Sequence, residues 1–440
     1  LFWCFRQTLP LDISLIDQGT NQWGFYLDGL SLTMLTLVAF MTGVVGQFSV
    51  RYLDGEAAQG RFIKWLSVTA AAVMCFILSN HLLLFMGAWM LSSLGLHQLL
   101  THYSDRAQAL LAARKKFVVS RLGDLFLLGA FALIYQSLGS WNYTPLFERL
   151  HTDTVQGGAI PLACFLLVAG AMTKSAQFPL HSWLPETMET PTPVSAFMHA
   201  GIINAGGFLI LRLSPLLVHS PLALGVLACV GGFTALFAVL VMLTQTSIKK
   251  RLAYSTISQM GFMMLQCGLG AFTAATGHIV AHSLYKAHAF LNCGNFLNQV
   301  KRARSRSHRP HRTLSAVPIF VLAILLLGLC GLAAWIWQVP VLTKPGGIIL
   351  SLILTLACTS LALHTYENAP RDFFPWAPLV SFFIAMLYFA TYRFFDLFLH
   401  PVFGYLDLPQ TLELLLGLGL VLGFVTVLFL EKRLRSHAHS

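Results

Sequence analysis

Residues 171–200 read AMTKSAQFPLHSWLPETMETPTPVSAFMHA and contain the break that decides the fold. An apolar run ends at Lys174, four prolines follow by position 193, and a second apolar run then carries His199. Proline removes a backbone donor and clashes with the preceding turn, so no regular helix can continue through this stretch. The stretch therefore predicts a discontinuous helix near Lys174.

The rest of the chain has the composition of an integral membrane protein. Of its 440 residues, 56% are hydrophobic and only 10% are charged, and the mean hydropathy is +0.70. A water-soluble chain of this length needs far more charge to cover its surface. The length criterion for bilayer-crossing helices predicts about thirteen spans, at 24–48, 62–79, 81–102, 117–138, 158–175, 193–213, 221–243, 250–270, 272–299, 315–338, 347–365, 376–398 and 411–430.

Basic residues occur in five short clusters between these spans, and thirteen spans put all five clusters on one side of the membrane. The alternate loops, such as 139–157 and 214–220, are poor in Lys and Arg. The positive-inside rule then predicts an outside N-terminus and a cytoplasmic C-terminus. Because the net charge of +11 forms no single basic face, nucleic acid is not an expected partner. The clusters are Arg51/Arg61/Lys64, Arg106/Arg114/Lys115/Lys116, Lys249/Lys250/Arg251, the run 301–312 and Lys432/Arg433/Arg435.

We predict four parts along the chain: an N-terminal segment at 1–23, a transmembrane core at 24–300, a basic cytoplasmic loop at 301–314, and further helices with a cytoplasmic tail at 315–440. Because the chain opens on Leu1, upstream residues are expected to be missing. The basic loop is a topology anchor or a contact for anionic lipid or an acidic partner. The eight cysteines lack CxxC spacing, and no P-loop or GxGxxG pattern occurs, so neither disulfides nor nucleotide binding is predicted.

A second stretch, GHIVAHSLYKAHAF, places three titratable side chains within one predicted span. His278, His282 and Lys286 are spaced i, i+4 and i+8, so they share one helix face. Imidazole accepts on one nitrogen and donates from the other, and a desolvated lysine also exchanges protons. With Lys174 and His199 these residues predict a proton pathway, and polar packing between helices is the alternative. Zinc binding is the weaker interpretation, because no HExxH glutamate accompanies the histidines.

A third stretch, RKKFVVSRLGDLF, places Arg121 and Asp124 one helical turn apart within a span. The two can neutralise each other, either as a static ion pair or as a switch that biases a neighbouring lysine. No metal site is predicted in this chain. The accessory candidates for the pathway are His97, Lys249, Glu186 and Glu189.

These stretches, with IKKRLAYSTISQMGFM, resemble the antiporter-like membrane subunits of respiratory complex I and of Mrp cation/proton antiporters. The resemblance covers about residues 25–300 and implies an all-α membrane fold with two inverted five-helix repeats around a proton-carrying axis. It implies that Lys174 is the central broken-helix lysine and that His199 is the bridging histidine. It also implies a second-half relay of His278, His282 and Lys286, and an intramembrane ion pair of Arg121 and Asp124.

Two departures from that family stand out. Met90 follows Trp89 where complex I's large subunit has a glutamate that pairs with the broken-helix lysine, which makes Asp124 the expected substitute. No second broken helix is recognisable in 315–345, and Lys344, outside the predicted span, is a poor substitute for its lysine.

This combination resembles the membrane subunits of DAB-type inorganic-carbon accumulation complexes in the bacterial cytoplasmic membrane. That branch implies a DabA-like cytoplasmic partner with a zinc site similar to β-carbonic anhydrases, and no cofactor in this chain. Flow of H+ or Na+ through the membrane subunit would drive CO2 hydration to bicarbonate in the partner. The alternatives are a subunit of a complex I-like or Mrp-type complex and a non-transporting anchor.

Overall fold

The computed structural model describes residues 10–18, 21–152, 158–295, 316–368 and 375–403, with a few positions between 417 and 426. These residues form one β-hairpin followed by helices. The bounds are β1 Leu11–Gln18, β2 Asn21–Leu27, α1 Gly29–Tyr52, α2 Gln59–Leu78, α3 Leu82–Leu100, α4 Ala107–Leu138, α5 Tyr143–Thr152, α6 Ala159–Lys174, α7 Trp183–Glu186, α8 Thr192–Ala200, α9 Ala205–Arg212, α10 Ser214–Leu217, α11 Pro221–Thr244, α12 Ile248–Gly268, α13 Phe272–Leu291, α14 Ala316–Ile336, α15 Gly347–Asn368 and α16 Ala377–Phe403.

The predicted membrane fold is present. Among the described residues, nine helices are long and apolar enough to cross a membrane. The first twelve predicted spans each overlap a helix, including the short α6. The thirteenth span is described at only a few positions, and the basic loop 301–314 lies outside the described residues.

The hairpin was not predicted, and it shifts the start of the first span from residue 24 to Gly29. Asp28 caps α1 by accepting a hydrogen bond from the Ser31 backbone at 2.7 Å, which fixes the strand-to-helix turn. Two loop asparagines hold the hairpin: the Gly24 backbone donates to Asn80 at 2.8 Å, and the Gln22 backbone donates to Asn142 at 3.1 Å.

The predicted break follows Lys174, where α6 ends. The next long stretch of helix begins only at Thr192, directly after Pro191. Between them lie one four-residue helix, α7, and the 3₁₀ turn Thr187–Glu189. Proline fits the first turn of a helix, where its missing N–H costs nothing, so the proline-rich sequence both ends one helix and starts the next.

A second break interrupts the predicted span 193–213, which the sequence had presented as one helix. Residues Ile202–Asn204 form a 3₁₀ turn between α8 and α9. The Asn204 side chain donates to the carbonyl of Ala200 at 3.0 Å and to Ser283 Oγ at 2.8 Å. The asparagine amide can donate to a backbone carbonyl that has lost its helical N–H partner. This allows the helix to be interrupted within a fully buried segment.

Helices α11 and α12 pack with their backbones in contact. A Cβ atom added at Gly231 would lie 2.7 Å from the Gly261 carbonyl, and one at Gly261 would lie 2.7 Å from the Gly231 carbonyl. Small residues allow such close approach between membrane helices. Helix α12 also packs against α13, where the polar groups described next are found.

Candidate functional site

The three titratable side chains on α13 face polar groups of α12, and we call this arrangement the α13 ladder. The side chains of Lys286 and His282 are buried, and His278 is partly exposed. Each of the three has a neutral polar partner on α12 rather than a carboxylate. The contacts are His278 Nδ1 to Gln266 Oε1 at 2.8 Å, His282 Nδ1 to Gln259 Oε1 at 2.7 Å, and Lys286 Nζ to Ser255 Oγ.

The His282 ring is held from both sides. Its Nε2 lies 3.2 Å from the backbone carbonyl of His199, while its Nδ1 faces Gln259. In a regular helix that carbonyl would accept from an N–H four residues later, but α8 ends at Ala200. The second break therefore brings His199 and the ladder together through the backbone.

The His199 ring itself is fully buried and stacks on Phe290, with the ring centroids 4.4 Å apart. Within the described residues, neither of its ring nitrogens has a hydrogen-bond partner. A buried polar group without a partner is rare and points to a strained or functional position. Of the predicted pathway residues, His199 is the one held by packing alone.

The second group of polar side chains surrounds the end of α6, and we call it the Lys174 cluster: Ser92, Ser93, Lys116, Asp124 and Lys174. The Lys174 amine donates to Ser92 Oγ at 3.2 Å and lies 4.4 Å from the centre of the Trp89 ring. An aromatic face attracts a cation, most strongly where water is excluded. Lys174 is thus held by a hydroxyl and a ring.

Lys116 is a site residue that the sequence interpretation missed. Its assignment to a basic loop was wrong, because it lies within α4 and is only 2% exposed. Its amine donates to both the carbonyl and the hydroxyl of Ser93, each at 2.8 Å. A lysine buried this completely needs polar partners of this kind.

Asp124 supplies the acidic group of the Lys174 cluster. It forms the predicted ion pair with Arg121 at 2.8 Å, and its side chain is 4% exposed against 29% for Arg121. Lys174 and Lys116 also lie within electrostatic range of this carboxylate. Asp124 therefore interacts electrostatically with three basic side chains.

The structure does not join the predicted pathway into one chain of hydrogen bonds. His199 and His282 are in contact, and the His278 and His282 ring centroids lie 6.0 Å apart. Across the described parts of the chain, no direct hydrogen bond links Lys174 to His199. The ladder and the Lys174 cluster are two separate groups.

The accessory candidates lie around these groups rather than between them. His97 packs against Phe117, with ring centroids 5.4 Å apart. Glu186 forms an exposed ion pair with Lys115 at 2.5 Å. Lys249 donates at 3.4 Å to backbone carbonyls of the turn that precedes α8, where Glu189 lines a cavity of about 340 Å³.

Two further ion pairs were not predicted. Arg212 binds the Asp28 carboxylate with both terminal nitrogens, at 2.6 and 3.2 Å, at the start of α1. Lys344 lies outside any helix, as predicted, but it pairs with Asp396 of α16 at 3.0 Å. Single charged residues inside apolar runs, such as Arg212 and Asp396, were the sequence signal for both pairs.

Gln259 and Gln266 are the other functional residues that the sequence interpretation overlooked. They are seven residues apart on α12, which places them on the same face two turns from each other. Glutamine inside a predicted span is a weaker signal than a charge, because its burial costs less.

Within the described residues, no group of three or more His, Cys, Asp or Glu side chains could hold a metal ion.

The fold is that of an antiporter-like membrane subunit. The family model described as "NADH:quinone oxidoreductase/Mrp antiporter, TM" matches residues 79–361. A second model, "NADH-Ubiquinone oxidoreductase (complex I), chain 5 N-terminus", matches residues 15–63. The chain belongs to this NADH:quinone oxidoreductase/Mrp antiporter family.

Among curated relatives, the chain is similar to the "Probable inorganic carbon transporter subunit DabB" of Hydrogenovibrio crunogenus, with 45% identity over 64% of this chain and 55% of that protein. It is 42% identical to DabB2 of Halothiobacillus neapolitanus over 69% of this chain and 54% of the relative. The chain thus spans about half the length of the curated relatives it matches. A chain of the Mrp complex from Dietzia sp. DQ12-45-1b shares the fold, with a TM-score of 0.64 and 23% identity over 94% of this chain and 50% of that chain.

Proposed function

We propose that the chain is the ion-conducting, energy-coupling membrane subunit of a bacterial inorganic-carbon transport complex. The conducted ion is H+ or Na+, and the chain itself performs no catalysis. Its pathway consists of His278, His282 and Lys286 on α13, together with His199 and Lys174. The relatives named as probable inorganic carbon transporter subunits support the type of complex.

The observation that carries the proposal is the α13 ladder. Three titratable side chains follow one another along one helix face, and each contacts a polar side chain of α12. Packing between membrane helices uses small residues and Ser, Thr, Asn, Gln or His contacts, so a lysine in line with two histidines exceeds what packing needs. A series of proton-exchanging groups through the membrane is what proton transfer requires.

The Lys174 cluster provides the coupling site in this proposal. A proton on Lys174 changes the net charge beside Asp124, and Asp124 also interacts with Arg121 and Lys116. Because these charges lie in a low-dielectric interior, loading or unloading one of them changes the proton affinity of the others. The predicted switch by Arg121 and Asp124 thus acts on Lys174, with Met90 making no ionic contribution.

The finer proposal concerns the partner and the orientation. Following the positive-inside rule, the Lys249 side of the protein faces the cytoplasm in this proposal, and ions enter from the outside near His278. Following the resemblance to DAB-type complexes, the partner is a DabA-like cytoplasmic zinc protein similar to β-carbonic anhydrases. Ion flow down its gradient drives CO2 hydration there, so zinc belongs to the partner.

Growth at ambient CO2 tests this function. A bacterium that depends on the complex should lose growth in air when it carries Lys174→Ala or His282→Ala, and growth should return at elevated CO2. The complex should still assemble, as measured by co-purification of the partner. The matched control is Glu186→Gln, which changes only an exposed ion pair. Normal growth of both pathway variants in air would refute the proposal.

The second candidate function is a proton-translocating subunit of a complex I-like or Mrp-type cation/proton antiporter complex. The family match over residues 79–361 and the fold shared with the Mrp complex chain favour it. Co-purification with flavin or iron–sulfur subunits, or with small membrane subunits, would support this function. A soluble zinc protein as the co-purifying partner would support the first one.

A further inference from the structure

The two hydrogen bonds of the His282 ring constrain where its protons can be. A backbone carbonyl only accepts hydrogen bonds, so Nε2, which lies 3.2 Å from the His199 carbonyl, must carry a hydrogen atom. A neutral imidazole has one N–H, so its Nδ1 is then an acceptor. A protonated imidazole carries a hydrogen on Nδ1 as well, and Nδ1 is then a donor.

Among the described residues, Gln259 is the group that meets Nδ1, at 2.7 Å. Its side-chain amide has an oxygen that accepts and an NH₂ group that donates, and a half-turn about the last side-chain bond exchanges them. With the oxygen toward Nδ1, Gln259 fits the charged ring; with the NH₂ group toward Nδ1, it fits the neutral ring. The two charge states of His282 therefore require opposite orientations of one amide, with no backbone movement.

A positive charge on His282 is stabilised by the amide of Gln259 and the backbone carbonyl of His199. The titratable groups that act on it electrostatically are His278 and Lys286 on α13 and His199 on α8, and all three are bases. A positive charge on His282 is repelled by any of these that is protonated. The oxygens of Gln259 and of the His199 backbone are the polar atoms that oppose this repulsion at hydrogen-bond distance.

We propose that Gln259 is the positioning residue that sets the protonation state of His282, by turning its amide oxygen or its amide NH₂ toward Nδ1. A proton arriving at Nδ1 is held there only while the oxygen faces the ring. The proton on Nε2 cannot continue through a carbonyl, so the ring must leave the His199 backbone before it can pass that proton on. The effect of Gln259 on transport rests on the proposed ion-conducting function. Its effect on the protonation of His282 rests only on the hydrogen-bond geometry.

The test uses the full-length protein with its co-purifying partner and three variants. Gln259→Met keeps the length of the side chain but can neither donate nor accept strongly. Gln259→Glu keeps the shape of the side chain. When ionised, it adds a negative charge and can accept hydrogen bonds but not donate them. The matched control is Gln245→Leu at the end of α11, whose amide bonds to Val241 and Thr244 within the described part of the chain. Thermal unfolding in detergent checks that all variants fold.

The first readout is the titration of His282, followed by ¹⁵N NMR of histidine-labelled protein and assigned with His282→Asn. We expect Gln259→Glu to move the midpoint to higher pH by at least one unit and Gln259→Met to move it to lower pH. Gln245→Leu should leave it unchanged. A midpoint that is the same in wild type, Gln259→Met and Gln259→Glu would overturn the inference.

The second readout is proton uptake by proteoliposomes under an imposed gradient. Uptake should fall at least tenfold in Gln259→Met, and in Gln259→Glu its pH profile should shift in the same direction as the titration. If the wild type takes up neither H+ nor Na+ while the titration shifts as expected, the proposed function fails and the role of Gln259 stands. If the wild type conducts and both Gln259 variants match it in rate and pH profile, the role of Gln259 fails.

Discussion

The Lys174 cluster and the α13 ladder differ in how their charges are compensated. Asp124 lies in the cluster within electrostatic range of three cations, whereas the α12 partners of the ladder are amides and a hydroxyl. A nearby carboxylate favours the charged form of a buried base, while burial without a carboxylate favours the neutral form. The cluster therefore favours the charged form of its bases more strongly than the ladder does.

The largest expected effect comes from removing the carboxylate of the cluster. Asp124→Asn leaves the buried Lys116 and Lys174 without their acidic neighbour, and a buried charge without a partner is strongly destabilising. We expect the free energy of unfolding to fall by about 3–5 kcal/mol, the range for breaking a buried ion pair. Denaturant titration in detergent micelles measures it. A loss as small as that of an exposed ion pair would contradict the role given to Asp124.

The corresponding change in the ladder should affect transport and leave stability nearly intact. Lys286 bonds to Ser255 and, at 3.4 Å, to the Leu252 carbonyl, and no carboxylate among the described residues pairs with it, so Lys286→Met leaves no acidic group without its partner there. Replacing buried ionic groups by apolar ones of similar volume is often neutral. We expect proton uptake to fall at least tenfold, with unfolding changed by about 1 kcal/mol or less. Destabilisation as large as in Asp124→Asn would remove the distinction between the two groups.

A smaller loss of stability than in Asp124→Asn is expected at the hydroxyl that holds Lys116. Ser93→Ala removes one of two hydrogen bonds to the Lys116 amine, while the Ser93 carbonyl remains. Hydrogen bonds to charged groups contribute about 1.5–3 kcal/mol, and the remaining bond should limit the loss to the lower end of that range. Denaturant titration of this variant measures the loss. An unchanged free energy of unfolding would show that the carbonyl alone is sufficient.

The smallest effect is expected at the exposed pair of Glu186 and Lys115. Their side chains are 47% and 40% exposed, so water screens the 2.5 Å contact. Glu186→Gln should change the free energy of unfolding by about 1 kcal/mol or less, and transport should not change. A tenfold loss of proton uptake in Glu186→Gln would move this accessory residue into the pathway.

The parts of the fold that follow from local chemistry could be predicted from the sequence. The proline-rich stretch ended α6 at Lys174, and the spacing of His278, His282 and Lys286 placed them on one face. The break at Ile202–Asn204 could not be predicted, because Asn204 supports it through a contact with Ser283 of another helix. That break in turn exposes the His199 carbonyl to His282.

The site was only partly predictable for a similar reason. Charged residues inside apolar runs are visible in a sequence, which is why Arg121 and Asp124 were identified. Lys116 was missed because it directly follows Arg114 and Lys115, and only packing against α3 shows that it points inward. Gln259 has no charge, and its importance depends on the partner that α13 brings to it.

The most direct test of the central claim is gradient-driven proton uptake by proteoliposomes that contain the full-length protein and its co-purifying partner. Uptake should be present in wild type and in Glu186→Gln, and should be lost in Lys286→Met, with both variants as well folded as the wild type. Equal uptake by wild type and Lys286→Met would contradict the claim that the α13 ladder conducts protons.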